Sequence, residues 1–267
     1  METNHPKLPE VGSFQPPPPR VRIYLISLEK DVQRREQIKK RFPRTHMHFE
    51  RITGIDGATL DEHRFKLLYP MSKNEIGCTL SHLQAYEKFL HSGEDACIIL
   101  EDDVIGSDDD VEQALLIASR FIDESIVLLG GLQGLRNKRY VIGEQVNNHE
   151  RLYKISKLSK RFLARTCCYT ITKKTAAILL DKQHTMMLRA DDWQRLLSDT
   201  KKIYYADLFS HPIEKESSNI EISRKSLKPG FLGQLIKDGL VYTIQSQLLK
   251  LLITTLPSKK KVPIKYI

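Results

Sequence analysis

No apolar run follows a basic start at the N-terminus, so neither a signal peptide nor a signal anchor is expected there. Cysteine is scarce: Cys78, Cys97, Cys167 and Cys168 are the whole complement, and none stands at metal-ligand spacing. Neighbouring Cys167 and Cys168 are badly placed to bridge each other. Two of the four lie in apolar, strand-like runs, so free buried thiols in a reducing compartment are expected, with the cytoplasm as the default location. A phosphate-binding glycine fingerprint is also missing. Gly130-Gly131-Leu132-Gln133-Gly134 is glycine-rich, but no helix starts directly after it. Aromatics are thin where the chain is most basic, with only Phe231, Tyr242 and Tyr266 from Arg224 onward. That speaks against a surface on which nucleic-acid bases stack.

What remains is ample for a core. A chain of 267 residues with 40% hydrophobic content suits one α/β domain with appendages, or at most two small domains. The net charge of +9 is unevenly spread: nine basic residues stand against Asp238 alone beyond residue 223, which leaves the main body close to neutral. A basic tail on a near-neutral body fits an anionic surface better than a groove that reads bases. Residues 1–20 hold Pro6, Pro9 and the run Pro16 to Pro19, an extended lead-in. The expected division is therefore a Pro-rich N-terminus (1–20), a main domain (21–223) and a basic amphipathic tail (224–267).

Along the main domain, Val21–Leu28 reads as a first strand, with Asp31 as a helix cap before Arg34, Arg35, Ile38 and Phe42. Open α/β sheets bind ligands at the carboxyl ends of such strands. Arg34 or Arg35 is thus placed to steer a diphosphate, or both are solvated helix charges. Met47–Ile52 suggests a second strand. Ser72 and Glu75 form a capping box that opens a helix over Ile76, Leu80, Leu83, Tyr86 and Leu90. Gly77 inside that helix costs up to about 1 kcal/mol relative to Ala and hints at close approach by another backbone or ligand. By pattern alone His82 reads as a core histidine. Ala96–Val104 is an apolar strand that ends in Glu101, Asp102 and Asp103. Crowded carboxylates repel unless a cation or hydrogen-bond donors offset them, so the triplet is either a site for Mg²⁺ or Mn²⁺ or a solvated acidic turn. A helix over Asp110–Ile122 and a strand at Ser125–Leu129 follow, then a poorly patterned stretch from Lys138 to Asn148. A strand over Ala164–Thr172 leads into another helix. Asp191-Asp192-Trp193 supplies a second carboxylate pair before a short helix, and a late strand at Ile203–Asp207 runs out toward His211. In the tail, Leu235, Ile236, Leu240, Ile244, Leu248, Leu251 and Leu252 fall on one helical face, and Lys259-Lys260-Lys261 follows. This reads either as an interfacial helix on anionic lipid or as a helix packed on the domain.

Several of these pieces, in this order, resemble glycosyltransferase family 25, the enzymes of lipooligosaccharide and lipopolysaccharide biosynthesis that also include collagen galactosyltransferases. The pieces are Ile26-Ser27-Leu28 with Arg34-Arg35, Glu75 to His82, Leu100-Glu101-Asp102-Asp103-Val104, Thr166 to Leu180, Asp191-Asp192-Trp193 and Ser217-Ser218-Asn219-Ile220. The resemblance implies a GT-A-like fold, a Rossmann-type αβα sandwich with a mostly parallel central sheet, to which the C-terminal amphipathic helical tail is added. It implies a UDP-sugar donor and a divalent cation, Mn²⁺ or Mg²⁺. Asp103 would ligate that cation with Asp102 and, from the late strand, His211. Ser27, Leu28, Arg35, Ser81, His82, Glu101 and Asp102 would hold the donor. Inverting transfer needs one carboxylate to deprotonate the acceptor hydroxyl; Asp192 is the first candidate, Asp191 the second, and either could instead cap the helix at Trp193. The function implied is transfer of a hexose, galactose before others, to a lipooligosaccharide or lipid A-core glycan at the cytoplasmic membrane face. The alternative is an inactive glycan-binding or scaffold protein of the same fold. Nucleic acid is not an expected partner.

Overall fold

The computed structural model describes residues 20–120, 125–146, 151–198, 202–212, 240–257 and 261–263. Among them are eight strands: β1 (Val21–Leu28), β2 (Phe49–Gly54), β3 (Ala96–Glu101), β4 (Ser125–Gly130), β5 (Gly143–Gln145), β6 (Leu152–Ile155), β7 (Cys168–Thr172) and β8 (Lys202–Phe209). The α-helices are α1 (Val32–Arg41), α2 (Lys73–Leu90), α3 (Asp108–Arg120), α4 (Lys173–Thr185), α5 (Trp193–Leu196) and α6 (Leu240–Thr254).

The strands form one sheet in the order β2-β1-β3-β7-β4-β8-β6-β5. β1 pairs in parallel with β2 and β3, and β4 with β8, whereas β7 and β6 run against their neighbours. The sheet is therefore mixed but mostly parallel in direction. Apolar residues on its central strands alternate between two cores. Cys97 and Ile99 of β3 face α2 and α4 through Ile76, Tyr86, Phe89 and Leu179. Ile98 and Leu100 face α1 and α3 through Ile38, Val111 and Ile117. That alternation is the period of two expected of a strand covered on both sides, and it produces the αβα sandwich.

Local signals act as their chemistry predicts in most places. The Ser72–Glu75 capping box is formed in full at the start of α2. Gly77 is needed for contact: a Cβ there would sit 2.6 Å from the Ile55 carbonyl oxygen, so the glycine lets α2 approach the loop after β2. Other boundaries move. Asp31 occupies the N-cap position of α1 without a side-chain cap bond. β3 stops at Glu101 and β7 starts only at Cys168, because the flanking residues turn into the site described below. β2 is displaced to Phe49–Gly54, and the stretch after Lys138 contains the short β5. The four cysteines are free thiols, with Cys97, Cys167 and Cys168 buried.

The described part of the tail, α6, packs on the domain through Thr243 and Ile253 while Ile244, Leu248, Leu251 and Leu252 stay exposed. Leu235, Ile236, Ser217 to Ile220 and Lys259–Lys260 lie outside the described residues. Among the described residues no helix is long and apolar enough to cross a membrane.

Candidate active site

Parallel pairing sets Ile26 opposite Glu101, so β1 and β3 end side by side and deliver Ser27, Leu28, Asp102 and Asp103 to one rim of the sheet. A cavity of about 460 Å³ opens there, within the size range of small-molecule sites. It is walled by the first turn of α1, the N-terminal half of α2, the segment before β7 and the exit of β8.

The acidic pair sits at the cavity's base. Asp102 is 5% exposed, and Arg34 Nη1 donates to its Oδ1 at 3.1 Å. The same guanidinium lies 3.9 Å from Asp103 Oδ2. His211 Nε2 is 3.2 Å from that oxygen. A two-bond bridge between Ile105 and Ser210 holds the histidine there, clamping the exit of β8 to the turn after β3. Burial pushes the Asp102 carboxyl up to about 6, against the opposing pull of Ser27 and Arg34. Burial would raise Asp103 too, but the hydrogen bond and charge of His211, with Arg34 and Arg165, hold it below the usual carboxylate range. Burial would lower His211, yet the bond to Asp103 and its charge outweigh this and raise the imidazole to about 9. One oxygen of each carboxylate, Asp102 Oδ2 and Asp103 Oδ1, is buried without a hydrogen-bond partner. Buried unsatisfied acceptors are costly unless something positive or donating reaches them.

The remaining residues named from sequence fall into two groups. Glu101 and His82 line the cavity but satisfy each other: His82 Nε2 lies 3.3 Å from Glu101 Oε1, which also accepts from Thr166 Oγ1 at 2.5 Å. His82 Nδ1 continues to Tyr169 (2.7 Å) and on to Tyr86 (2.8 Å). With Cys78 these two residues are the one described triad whose ligand atoms lie within 4.8 Å of one another. The hydrogen bonds already made by Glu101 and His82 favour a supporting role for it. Ser81 lines the cavity, but its hydroxyl is engaged by Ile55 N and Gly77 O at 2.8 and 2.7 Å. Arg35 turns back to donate to Ser27 Oγ (3.2 Å), to Leu28 O and to Glu29 O (3.0 Å), bracing the end of β1. The arginine that reaches the acidic pair is Arg34.

The second pair splits. Asp192 caps α5 and accepts from Tyr69 Oη at 2.8 Å and Arg195 Nη1 at 2.6 Å, away from the main cavity. Asp191 lines that cavity, and its Oδ2 accepts from the backbone N–H of Arg165 at 3.2 Å. Sequence reasoning missed Arg165. Its φ of 68° is the one positive value outside glycine among the described residues, where a side chain is strained. That conformation lets one residue bond Asp191 through its N–H, Trp193 Nε1 through its carbonyl (3.1 Å), and Gly131 and Gln133 through its guanidinium (2.7 and 2.9 Å). Alternation over Ala164–Thr172 reads as strand and gives no sign of such a turn.

Residues 21–194 match the family described as "Glycosyltransferase family 25 (LPS biosynthesis protein)". A "Glycosyltransferase 25 family member" of Anopheles gambiae is 31% identical over 96 residues, which span 31% of this chain and 16% of that protein. One from Aedes aegypti is 28% identical over the same shares. The chain thus matches only a small part of these relatives. Among solved structures, A197 from STIV is similar at a TM-score of 0.42 and 13% identity, covering 73% of this chain and 86% of that one. A glycosyltransferase involved in glycosylating the major capsid of PBCV-1 reaches 0.40 at 11% identity, covering 78% and 98%.

Proposed function

We propose, for a chain that belongs to glycosyltransferase family 25, that it transfers a hexose from a UDP-sugar to a hydroxyl of a glycan acceptor with inversion. Galactose is the expected sugar and a lipooligosaccharide-type glycan the expected acceptor. The observation that carries this reading is the pair of orphaned oxygens, Asp102 Oδ2 and Asp103 Oδ1, beside Arg34 and His211. The hard oxygens of Asp102 and Asp103 suit a divalent cation such as Mn²⁺ or Mg²⁺, but with His211 they do not form a three-ligand set within 4.8 Å, so the pair of carboxylates alone would hold it. Such a cation, when bound, would offset charge on the donor's diphosphate.

The chain's own groups account for the rest. The acceptor oxygen forms a bond to the anomeric carbon as the bond from that carbon to the diphosphate breaks. Asp191 takes the acceptor's proton, and the departing UDP keeps the bonding electrons. Arg34 and protonated His211 face the negative charge that builds on the leaving group. Asp192 supports by fixing the turn that aims Asp191. Replacement Asp103→Ala is expected to lower transfer from UDP-galactose at least 1,000-fold and to abolish Mn²⁺-dependent thermal stabilisation by UDP, which reports binding by mass action. Unchanged turnover would defeat the assignment.

The exposed apolar row Ile244, Leu248, Leu251 and Leu252 on α6, in a tail whose nine basic residues from Arg224 onward face Asp238 alone, supports peripheral attachment to an anionic membrane at its cytoplasmic face. Co-sedimentation with anionic vesicles should fall at least fivefold in L248S/L251S. Equal binding by that variant would exclude this role for the helix.

A further inference from the structure

Apart from the acidic pair, one more group of cation-binding side chains opens on the main cavity. Cys78 and His82 stand four residues apart on α2, so their side chains leave the same face of the helix. Glu101, the last residue of β3, meets them from the sheet. One ligand atom from each, a thiol sulfur, a ring nitrogen and a carboxylate oxygen, lies within 4.8 Å of the other two. All three residues line the cavity. Spacing among the cysteines does not show this group, because Cys78 meets a histidine and a carboxylate rather than another thiol.

The bonds around the triad have the pattern of a built ion site. His82 Nε2 stands 3.3 Å from Glu101 Oε1, long for an N–H···O bond. On a tetrahedral ion with bonds of about 2.0–2.1 Å, nitrogen and oxygen ligands stand about 3.3 Å apart. The other ring nitrogen, Nδ1, is tied to Tyr169 Oη at 2.7 Å, and Tyr169 to Tyr86 Oη at 2.8 Å. Thr166 Oγ1 donates to Glu101 Oε1 at 2.5 Å. Outer bonds of this kind orient the histidines and carboxylates that hold metals. Without an ion, the His82–Glu101 contact supports the cavity wall; an ion would take the place of the proton between them.

We propose that Cys78, His82 and Glu101 bind Zn²⁺, and that the ion excludes the sugar nucleotide from the cavity. The ion site stands on the triad's own geometry. The exclusion rests on the transferase reading above, in which His82 and Glu101 border the donor. Ligand chemistry selects the ion: a thiolate and an imidazole suit Zn²⁺, whereas Mg²⁺ and Mn²⁺ favour oxygen ligands such as Asp102 and Asp103. As the Zn–S bond forms, the Cys78 thiol proton leaves to solvent. His82 stays neutral. Its Nε2 lone pair goes to the ion and its proton is carried on Nδ1, which donates to Tyr169 Oη while the Tyr169 hydroxyl turns to Tyr86. The fourth position faces the cavity and takes water.

The test uses Co²⁺ as a spectroscopic stand-in for Zn²⁺ on the full chain, with Mg²⁺ in excess to occupy the carboxylate pair. Wild type should show the near-ultraviolet absorption of a thiolate–Co²⁺ bond, and added Zn²⁺ should remove it. Cys78→Ser should weaken that band at least tenfold, and His82→Gln should weaken Co²⁺ affinity at least tenfold. Cys167→Ser, at the other cysteine that lines the cavity, should keep the band. An unchanged Tm of each metal-free variant reports that it is folded. In the same buffer Zn²⁺ should weaken UDP-galactose binding at least tenfold in wild type and less than twofold in Cys78→Ser. No thiolate band in wild type, or a full band in Cys78→Ser, would overturn the site. A band without any effect of Zn²⁺ on UDP-galactose binding would overturn the exclusion. Failure of the wild type to bind UDP-galactose in Mg²⁺ alone would instead strike the transferase reading, while the Co²⁺ spectrum still decides the site.

Discussion

Two Asp-Asp pairs stand in this chain, and the fold treats them differently. Asp102 and Asp103 follow a buried strand, and both stay in the site, each with one oxygen spoken for and one left over. Asp191 and Asp192 precede a helix, and the helix takes one of them. Asp192 closes the N-terminus of α5 and is bonded by Tyr69 and Arg195, so its lone pairs are committed to structure. Asp191, one residue earlier, lines the main cavity. Equal chemistry in sequence becomes unequal chemistry in space because a helix start demands an acceptor and a strand end does not.

The strongest way to break this contrast is to exchange the roles within the second pair. Asp191→Asn should cost about 10²–10⁴ in kcat, the usual worth of a positioned general base, with little change in Tm. Asp192→Ala should do the reverse. Losing the cap and the acceptor of the buried Tyr69 O–H together should cost about 2–4 kcal/mol of stability, read by thermal or urea unfolding, while kcat falls less than tenfold. A large loss of kcat in Asp192→Ala with stability intact would reassign the base.

A smaller effect sharpens the contrast from the other side, since only the first pair is tied to a histidine. His211 rises from its ordinary value of 6.5 to about 9 on folding, so the folded protein holds this proton more tightly than the unfolded chain. The resulting stabilisation is complete below pH 6.5 and is lost as pH rises through 9. Metal-free protein should therefore lose Tm between pH 6.5 and 9, and His211→Gln should flatten that slope. A slope that persists in the variant would mean that another group titrates there.

Which parts of this could be read in advance depends on how local their causes are. The limits of β1 and the capping box of α2 follow from residues within a few turns of one another, and pattern alone located them, whereas Gly77 signalled a close approach without naming its partner, the loop after β2. The acidic end of β3 was equally plain, because three carboxylates cannot continue a fully buried apolar strand and so mark where it leaves the core. Arg34 could not be told from Arg35, since one residue of helix rotation decides which faces the sheet rim and which braces Leu28. The left-handed turn at Arg165 was hidden inside an alternating pattern. The tail helix was legible as amphipathic, but not how it sits. Its apolar row stays exposed, while Thr243 and Ile253 pack on the domain.

By itself, then, the order of residues determined the main strands and helices of an α/β chain and the two acidic pairs, because periodicity and capping act over short spans of chain, while the layered plan and the family followed from the resemblance its motifs carry. Only the tertiary structure decided that His211 meets Asp103 across a gap of more than a hundred residues, and that Asp191 rather than Asp192 faces the cavity. Those outcomes depend on which strands pair and which backbone groups lack partners. Hydrogen bonding settles both between segments far apart in sequence, where no local pattern carries the information.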